Sequence, residues 1–327
     1  MTPVSIRPQR AAAVVQCLFT ALGFILTGAS LAAQTTADAN ALLQSGKAAE
    51  ARDAFESILS SDPTSAQAQG GEVAASERLA LEQAGSGNRV GALQALLRAE
   101  KLVPQSARLE YDLGILEDQM HLYPEAQKSL AAAQQLHFED PKLLYAQARV
   151  YFDQDQLAPA AEKMSAYLRL RPEDATAHYG LGRVYQLGVE FDKARAEFQE
   201  SIRLHPEQTE AWYQLGDIAL KQSQYDEALA DFSKTLARDP NHGGALAGSG
   251  EACFREKHYD RALDFLNRAI AAAPDYQPGH YYRGLTLARL GRKDDAEREL
   301  ALAAKLADED NRKASTRYQL SVPPSGP

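Results

Sequence analysis

The sequence predicts an all-α protein, a solenoid of about eight stacked helical hairpins, and three observations carry that prediction. Steps of 34 residues from Ala228 land on Ala194, Ala160, Ala126 and Ala92 upstream and on Ala262 and Ala296 downstream; one longer step of 41 reaches Ala51. A proline keeps the same period at Pro63, Pro104, Pro172, Pro206, Pro240 and Pro274, with Phe138 and Asp308 in the two slots that lack it. Four residues after each alanine stands a large apolar side chain: Phe55, Leu96, Leu130, Met164, Phe198, Phe232, Leu266 and Leu300. A fixed period of this length signals stacked units, none of which buries its apolar face alone.

The stretch Ala211 to Pro240 shows the unit most fully, with Trp212, Leu215, Gly216, Tyr225, Ala228, Phe232 and Pro240 in register. It resembles the tetratricopeptide repeat, a helix–turn–helix of 34 residues. Ala219 departs from the pattern, where an aromatic residue is usual. The resemblance spans residues 39–310 and implies a right-handed α-solenoid with units near 32–65, 66–106, 107–140, 141–174, 175–208, 209–242, 243–276 and 277–310. In that frame Gly182, Gly216, Gly250 and Gly284 lie on first helices and the alanines on second helices. Small residues there let two antiparallel helices approach closely.

Residues 1–33 belong to no unit. Arg7 and Arg10 precede an uncharged run, Ala11 to Ala33, with the strongly apolar centre VVQCLFTALGFIL. Ser30-Leu31-Ala32 supplies a small-x-small cleavage site, and cleavage after Ala33 is an alternative. This is the pattern of a secretory signal peptide. An uncleaved membrane anchor over residues 11–33 is the other reading, because the run is long enough to span a bilayer. No lipoprotein box precedes Cys17 and no Arg-Arg pair is present, which points to export by the Sec route into the periplasm or the extracellular space.

Cleavage would leave 33 basic and 44 acidic residues, a net charge of −11 against −9 for the whole chain. Such acidity disfavours nucleic acid and anionic lipid as partners. Cys253 would then be the only cysteine, placed in a helix-packing slot as a small buried hydrophobe. A mature chain of this size in stacked helices needs no disulfide.

The first unit has a short first helix, near 38–44, as suits a solenoid end. The second is seven residues longer than the period. That excess predicts a long first helix over 65–84, weakened at Gly70-Gly71, with Gly85-Ser86-Gly87 as the turn. The third to seventh units are regular. Pro124 and Pro159 start second helices, and Pro141 and Pro278 start first helices, where proline is tolerated. The eighth unit, with Arg283 and Lys293 in usually apolar or aromatic slots, reads as a charged cap whose last helix covers 294–306. Residues 311–327 are expected to form a separate cap helix, over 311–320, and a disordered tail, SVPPSGP.

The family resemblance places positions 2, 5, 9, 12 and 13 of each unit on the concave face. Position 5 there reads Tyr111, Tyr145, Tyr179, Tyr213, Ala247 and Tyr281, and position 9 includes Arg149 and Arg183. These seven tyrosine and arginine residues are the candidate peptide contacts. Tyrosine gives area and a hydroxyl at low entropy cost, and arginine a forked donor for carboxylates and carbonyls. Tyrosine at position 5 is also common in ordinary repeats, so packing is the competing explanation. The lysine and asparagine pair that clamps a C-terminal carboxylate in chaperone-binding members is absent from every unit.

No catalytic residue is proposed. The seven histidines show no metal-ligand spacing, and no nucleophile elbow, phosphate loop or dinucleotide fingerprint appears. No cofactor, metal or small-molecule substrate is expected. Repeats fill the mature chain and leave no room for a catalytic domain. Two functions fit: an exported adaptor gripping a partner peptide or helix, or an envelope assembly factor using its end units or the long second unit.

Overall fold

The computed structural model describes residues 35–321. The expected signal segment 1–33, with Cys17, and residues 322–327 of the expected tail lie outside the described residues. Sixteen helices and no strand occur among the described residues. They alternate as first and second helices of hairpins, and extensive packing joins only close neighbours in the chain order.

The helices fall into two units, the first ending at Gln156 and the second beginning at Leu157. In the first unit, α1 covers residues 35–44 and α2 Ala48–Ser61; α3 (Ala66–Gly85) pairs with α4 (Arg89–Leu102), and α5 (Ala107–Gln119) with α6 (Tyr123–Gln135); α7 (Lys142–Asp153) comes last. In the second unit, α8 (Leu157–Leu170) precedes four hairpins. These are α9 (Ala175–Leu187) with α10 (Phe191–Leu204), α11 (Thr209–Lys221) with α12 (Tyr225–Arg238), α13 (Gly243–Arg255) with α14 (Tyr259–Ala272), and α15 (Gln277–Arg289) with α16 (Lys293–Ser321).

Local chemistry explains where these helices start and stop. Side chains of Ser65, Asn88, Ser106 and Asp174 cap first-turn amides, and His242 does so through Nδ1, 3.0 Å from the amide of Ala245. Pro124 and Pro278 sit in first turns and Pro141 at an N-cap, where no helical amide is lost. Within each unit the first helix of every hairpin is followed by one residue at positive φ: Gly46, Gly87, His121, Val189, Ser223, Lys257 and Gly291. That left-handed residue turns the chain back into the second helix.

The core repeats as predicted by the spacing. Phe55, Leu130, Phe198, Phe232 and Leu266, together with the period alanines from Ala51 to Ala262, are fully or almost fully buried. Phe232 lies so close to α11 that a Cβ on Gly216 would stand 2.7 Å from its ring. Burying one such phenylalanine stabilises by roughly 2–3 kcal/mol. Cys253 is buried in this core, and burial pushes its thiol up.

Three expectations are corrected. Helical structure is already present at residue 35, ahead of Asp38. α3 shows no break at Gly70-Gly71; Gly71 instead lets the Phe55 ring press on the α3 backbone. The helix of 294–306 and the separate one of 311–320 are a single 29-residue helix, α16. No proline or glycine interrupts residues 293–321, and Asp308 in the proline slot leaves the amide ladder intact.

Candidate peptide-binding surface

The candidate contacts divide between the two units. In the first, Tyr111 stands on α5 and stacks on Phe138, with centroids 4.6 Å apart and planes 13° from parallel. Phe138 is the residue that replaces a period proline, and its ring joins the core of Leu130, Leu143 and Ala146. The Arg108 guanidinium lies 5.9 Å from the centroid of the Tyr111 ring. Tyr145 is half-buried on α7. One turn on, Arg149 donates to Asp118 Oδ2 at 2.7 Å. Burial raises the Asp118 carboxyl, and Arg149 offsets part of that rise.

In the second unit, α9 brings Tyr179, Arg183 and Leu187 onto one stripe at four-residue spacing. Tyr179 packs against Phe198 in a tilted pair, 5.6 Å between centroids. Arg183 Nη1 reaches the Tyr179 hydroxyl at 3.5 Å, while its Nε is buried without a hydrogen-bond partner among the described residues. Tyr213, on α11, is spent on the next repeat: its ring lies 4.7 Å from that of His242, and its hydroxyl meets Gly244 and Tyr276. Burial, chiefly, pushes that phenol well above the usual tyrosine value. Ala247 is buried on α13, and Tyr281 on α15 is exposed beside Tyr282.

The polar groups between these rings mostly join one repeat to the next. Asp217 accepts from Gln186 at 2.8 Å and from Lys221 at 2.7 Å. Glu251 accepts from the Tyr282 hydroxyl at 2.5 Å and from Arg255 at 3.2 Å. His178 and His280 are polar bridges. Each holds a glutamate of the following helix through Nδ1 at 2.7 Å, Glu197 and Glu299 respectively. Each also reaches a proline carbonyl through Nε2, that of Pro172 or Pro274. Among the described residues no group of three or more histidine, cysteine or carboxylate side chains has metal-binding geometry.

A family model for the tetratricopeptide repeat matches residues 145–209, 189–240 and 213–277. Tetratricopeptide repeats therefore occupy residues 145–277. A solved tetratricopeptide-repeat protein from Parabacteroides merdae ATCC 43184 is similar in fold, with a TM-score of 0.59 at 18% identity, covering 72% of this chain and 93% of that one. The APC/C hetero-tetramer Cut9–Hcn1 gives a TM-score of 0.55 at 16% identity over 83% of this chain and 52% of that one. YrrB, described as a TPR protein with an unusual peptide-binding site, gives 0.48 at 24% identity over 57% of this chain and 97% of that one. No curated protein matches the chain.

Tetratricopeptide repeats form a scaffold suited to protein–protein interaction and are generally non-catalytic. Among the described residues no helix is long and apolar enough to cross a membrane. Nothing in the repeat spacing marks Leu81, Glu77 and Arg108, which line a hollow of the first unit.

Proposed function

We propose that the protein is a non-enzymatic, exported adaptor that captures a peptide or helix of a partner protein on its first-helix face, with Tyr179 and Arg183 as the main contacts of the second unit. The supporting observation is the state of Arg183. Asp217 and Glu251, in the same register of the next two repeats, are occupied by groups of the solenoid itself, whereas Arg183 keeps an Nε with no partner among the described residues and only a 3.5 Å contact to a phenol. A guanidinium with spare donors suits a carboxylate or a main-chain carbonyl. Tyr281 adds an exposed aromatic on α15. Tyr213, Tyr111 and Arg149 support the surface by tying repeats together.

Export rests on residues 1–33, whose basic start, uncharged run and small-x-small site suit cleavage by a signal peptidase. The envelope or the extracellular space is then where the partner is sought. Crosslinking and mass spectrometry on the native host envelope, with the wild-type chain and Arg183→Glu, test the proposal. Loss of one crosslinked partner with the reversed charge supports it. An unchanged partner set favours the second reading, an assembly factor acting through its end or outer surfaces. One observation favours that second reading: Leu81, on the long first helix of the second repeat, is an exposed leucine.

A further inference from the structure

The first-helix face of the first unit carries a groove that none of the seven candidate tyrosine and arginine residues lines. It opens between α3 and α5 over Leu96 of α4, with a volume of 140 Å³. The last turns of α3 supply Leu81 and Ala84, and α5 supplies Ile115 and Leu116. α3 has 20 residues against 13 in α5. Leu81 remains 74% exposed, the most exposed large apolar side chain of the described residues. A space of this volume holds about one large apolar side chain; engineered apolar cavities near 150 Å³ take up benzene.

The rim is charged. Arg108 Nε lies 3.0 Å from Glu77 and 3.1 Å from Asp112, so two carboxylates share one guanidinium. Burial, helped by the neighbouring Glu77, pushes the Asp112 carboxyl up to about 7. Fully ionised, the three groups carry one net negative charge, and a further cation would complete them. An acidic segment would meet repulsion there. A second copy seated through the same groove would bring a like-charged rim against this one.

We propose that this groove docks a partner segment in which one large apolar side chain fills the space beside Leu81 while a flanking lysine or arginine meets Glu77 and Asp112. The site lies in the first unit and does not depend on Arg183. Fluorescence anisotropy with the full chain tests it, using a labelled peptide with one leucine between two lysines in an alanine background. Its leucine-to-serine and lysine-to-glutamate counterparts are expected to bind at least about tenfold more weakly. Leu81→Lys is expected to weaken the first peptide at least about tenfold while circular dichroism is unchanged; Arg183→Glu leaves it as it was. Wild-type binding should strengthen from about pH 6 to about pH 8, and Asp112→Asn should flatten that rise. Absent binding, equal binding of the glutamate peptide, or indifference to Leu81→Lys overturns the proposal. So does a dimer in sedimentation that Leu81→Lys dissociates, since the occupant would then be a second copy.

Discussion

Arg149 on α7 reaches back 31 residues to hold Asp118 on α5 at 2.7 Å, and the acid is buried while the base is half exposed. In repeat register this is position 9 bonded to position 12 of the preceding repeat. Asp217 and Gln186 repeat the relationship at 2.8 Å. The side chains that resemble ligand contacts by position are here the bolts between hairpins. Arg149→Ala would leave a buried carboxylate with its cation gone, and Asp118 Oδ1 already has no partner. We expect a loss of about 1–2 kcal/mol, read from urea unfolding, and much of it restored in the Arg149→Ala, Asp118→Asn double variant. Equal losses in the single and double variants would show that the pair is not coupled.

Phe232 is the largest test of the repeat core. It is 1% exposed and pressed between Gly216 and Gly248. Phe232→Ala should cost about 3–5 kcal/mol. Trp212, the single tryptophan, stands on α11 in the neighbouring core with Lys234 3.8 Å over its ring. Because stability in a solenoid is summed from repeats and their interfaces, the Trp212 fluorescence transition should fall to lower denaturant than the loss of total helicity. Coincident transitions for the two signals would mean that the stack unfolds as a whole.

Val189 holds φ at 60° and is 68% exposed, the one β-branched residue among the positive-φ turns. Left-handed backbone costs an L-residue roughly 1–2 kcal/mol, and glycine almost nothing. Exposure means that little packing is lost on truncation. Val189→Gly is therefore expected to stabilise by about 0.5–1 kcal/mol in thermal or urea unfolding, after the extra unfolded-state freedom of glycine is subtracted. A destabilised variant would show that the side chain has a contact of its own.

Glu72 is buried on α3 with Ser76 as its hydrogen-bond donor at 3.2 Å, and its second oxygen has no partner among the described residues. Burial pushes this carboxyl from 4.5 up to about 7. The folded state therefore keeps a proton that the unfolded state loses. Stability from this group is fully present below about pH 4.5 and drains away as pH rises to about 7. Glu72→Gln should remove that decline and gain on the order of 2 kcal/mol at neutral pH. Parallel pH–stability curves for the variant and the wild-type would exclude Glu72 as the cause.

The sequence spelled out the solenoid because each packing demand recurs every 34 residues. An alanine must let two helices meet, and an apolar residue one turn later must fill the gap. The ends were less legible. α16 continues through 311–321 because good helix formers carry on past the last repeat, a local preference that repeat counting ignores. The surface was legible only by position. Tyr213 and Tyr281 occupy the same register, yet Tyr213 meets His242 at the N-cap of α13 and Tyr276 of the following repeat while Tyr281 is exposed. Which ring is covered depends on side chains 29 to 63 residues away. The groove beside Leu81 depends on which side chains of α3 and α5 face each other, so no motif announces it.

Site-specific photo-crosslinking in the native host tests the adaptor role most directly. A photoreactive residue is placed at Tyr179 and, as a control, at the exposed Gln199 on the second helix α10. The account predicts a polypeptide adduct from position 179 that Arg183→Glu abolishes, and none from position 199. An adduct at 179 that persists in Arg183→Glu, or adducts from 199 alone, would contradict it.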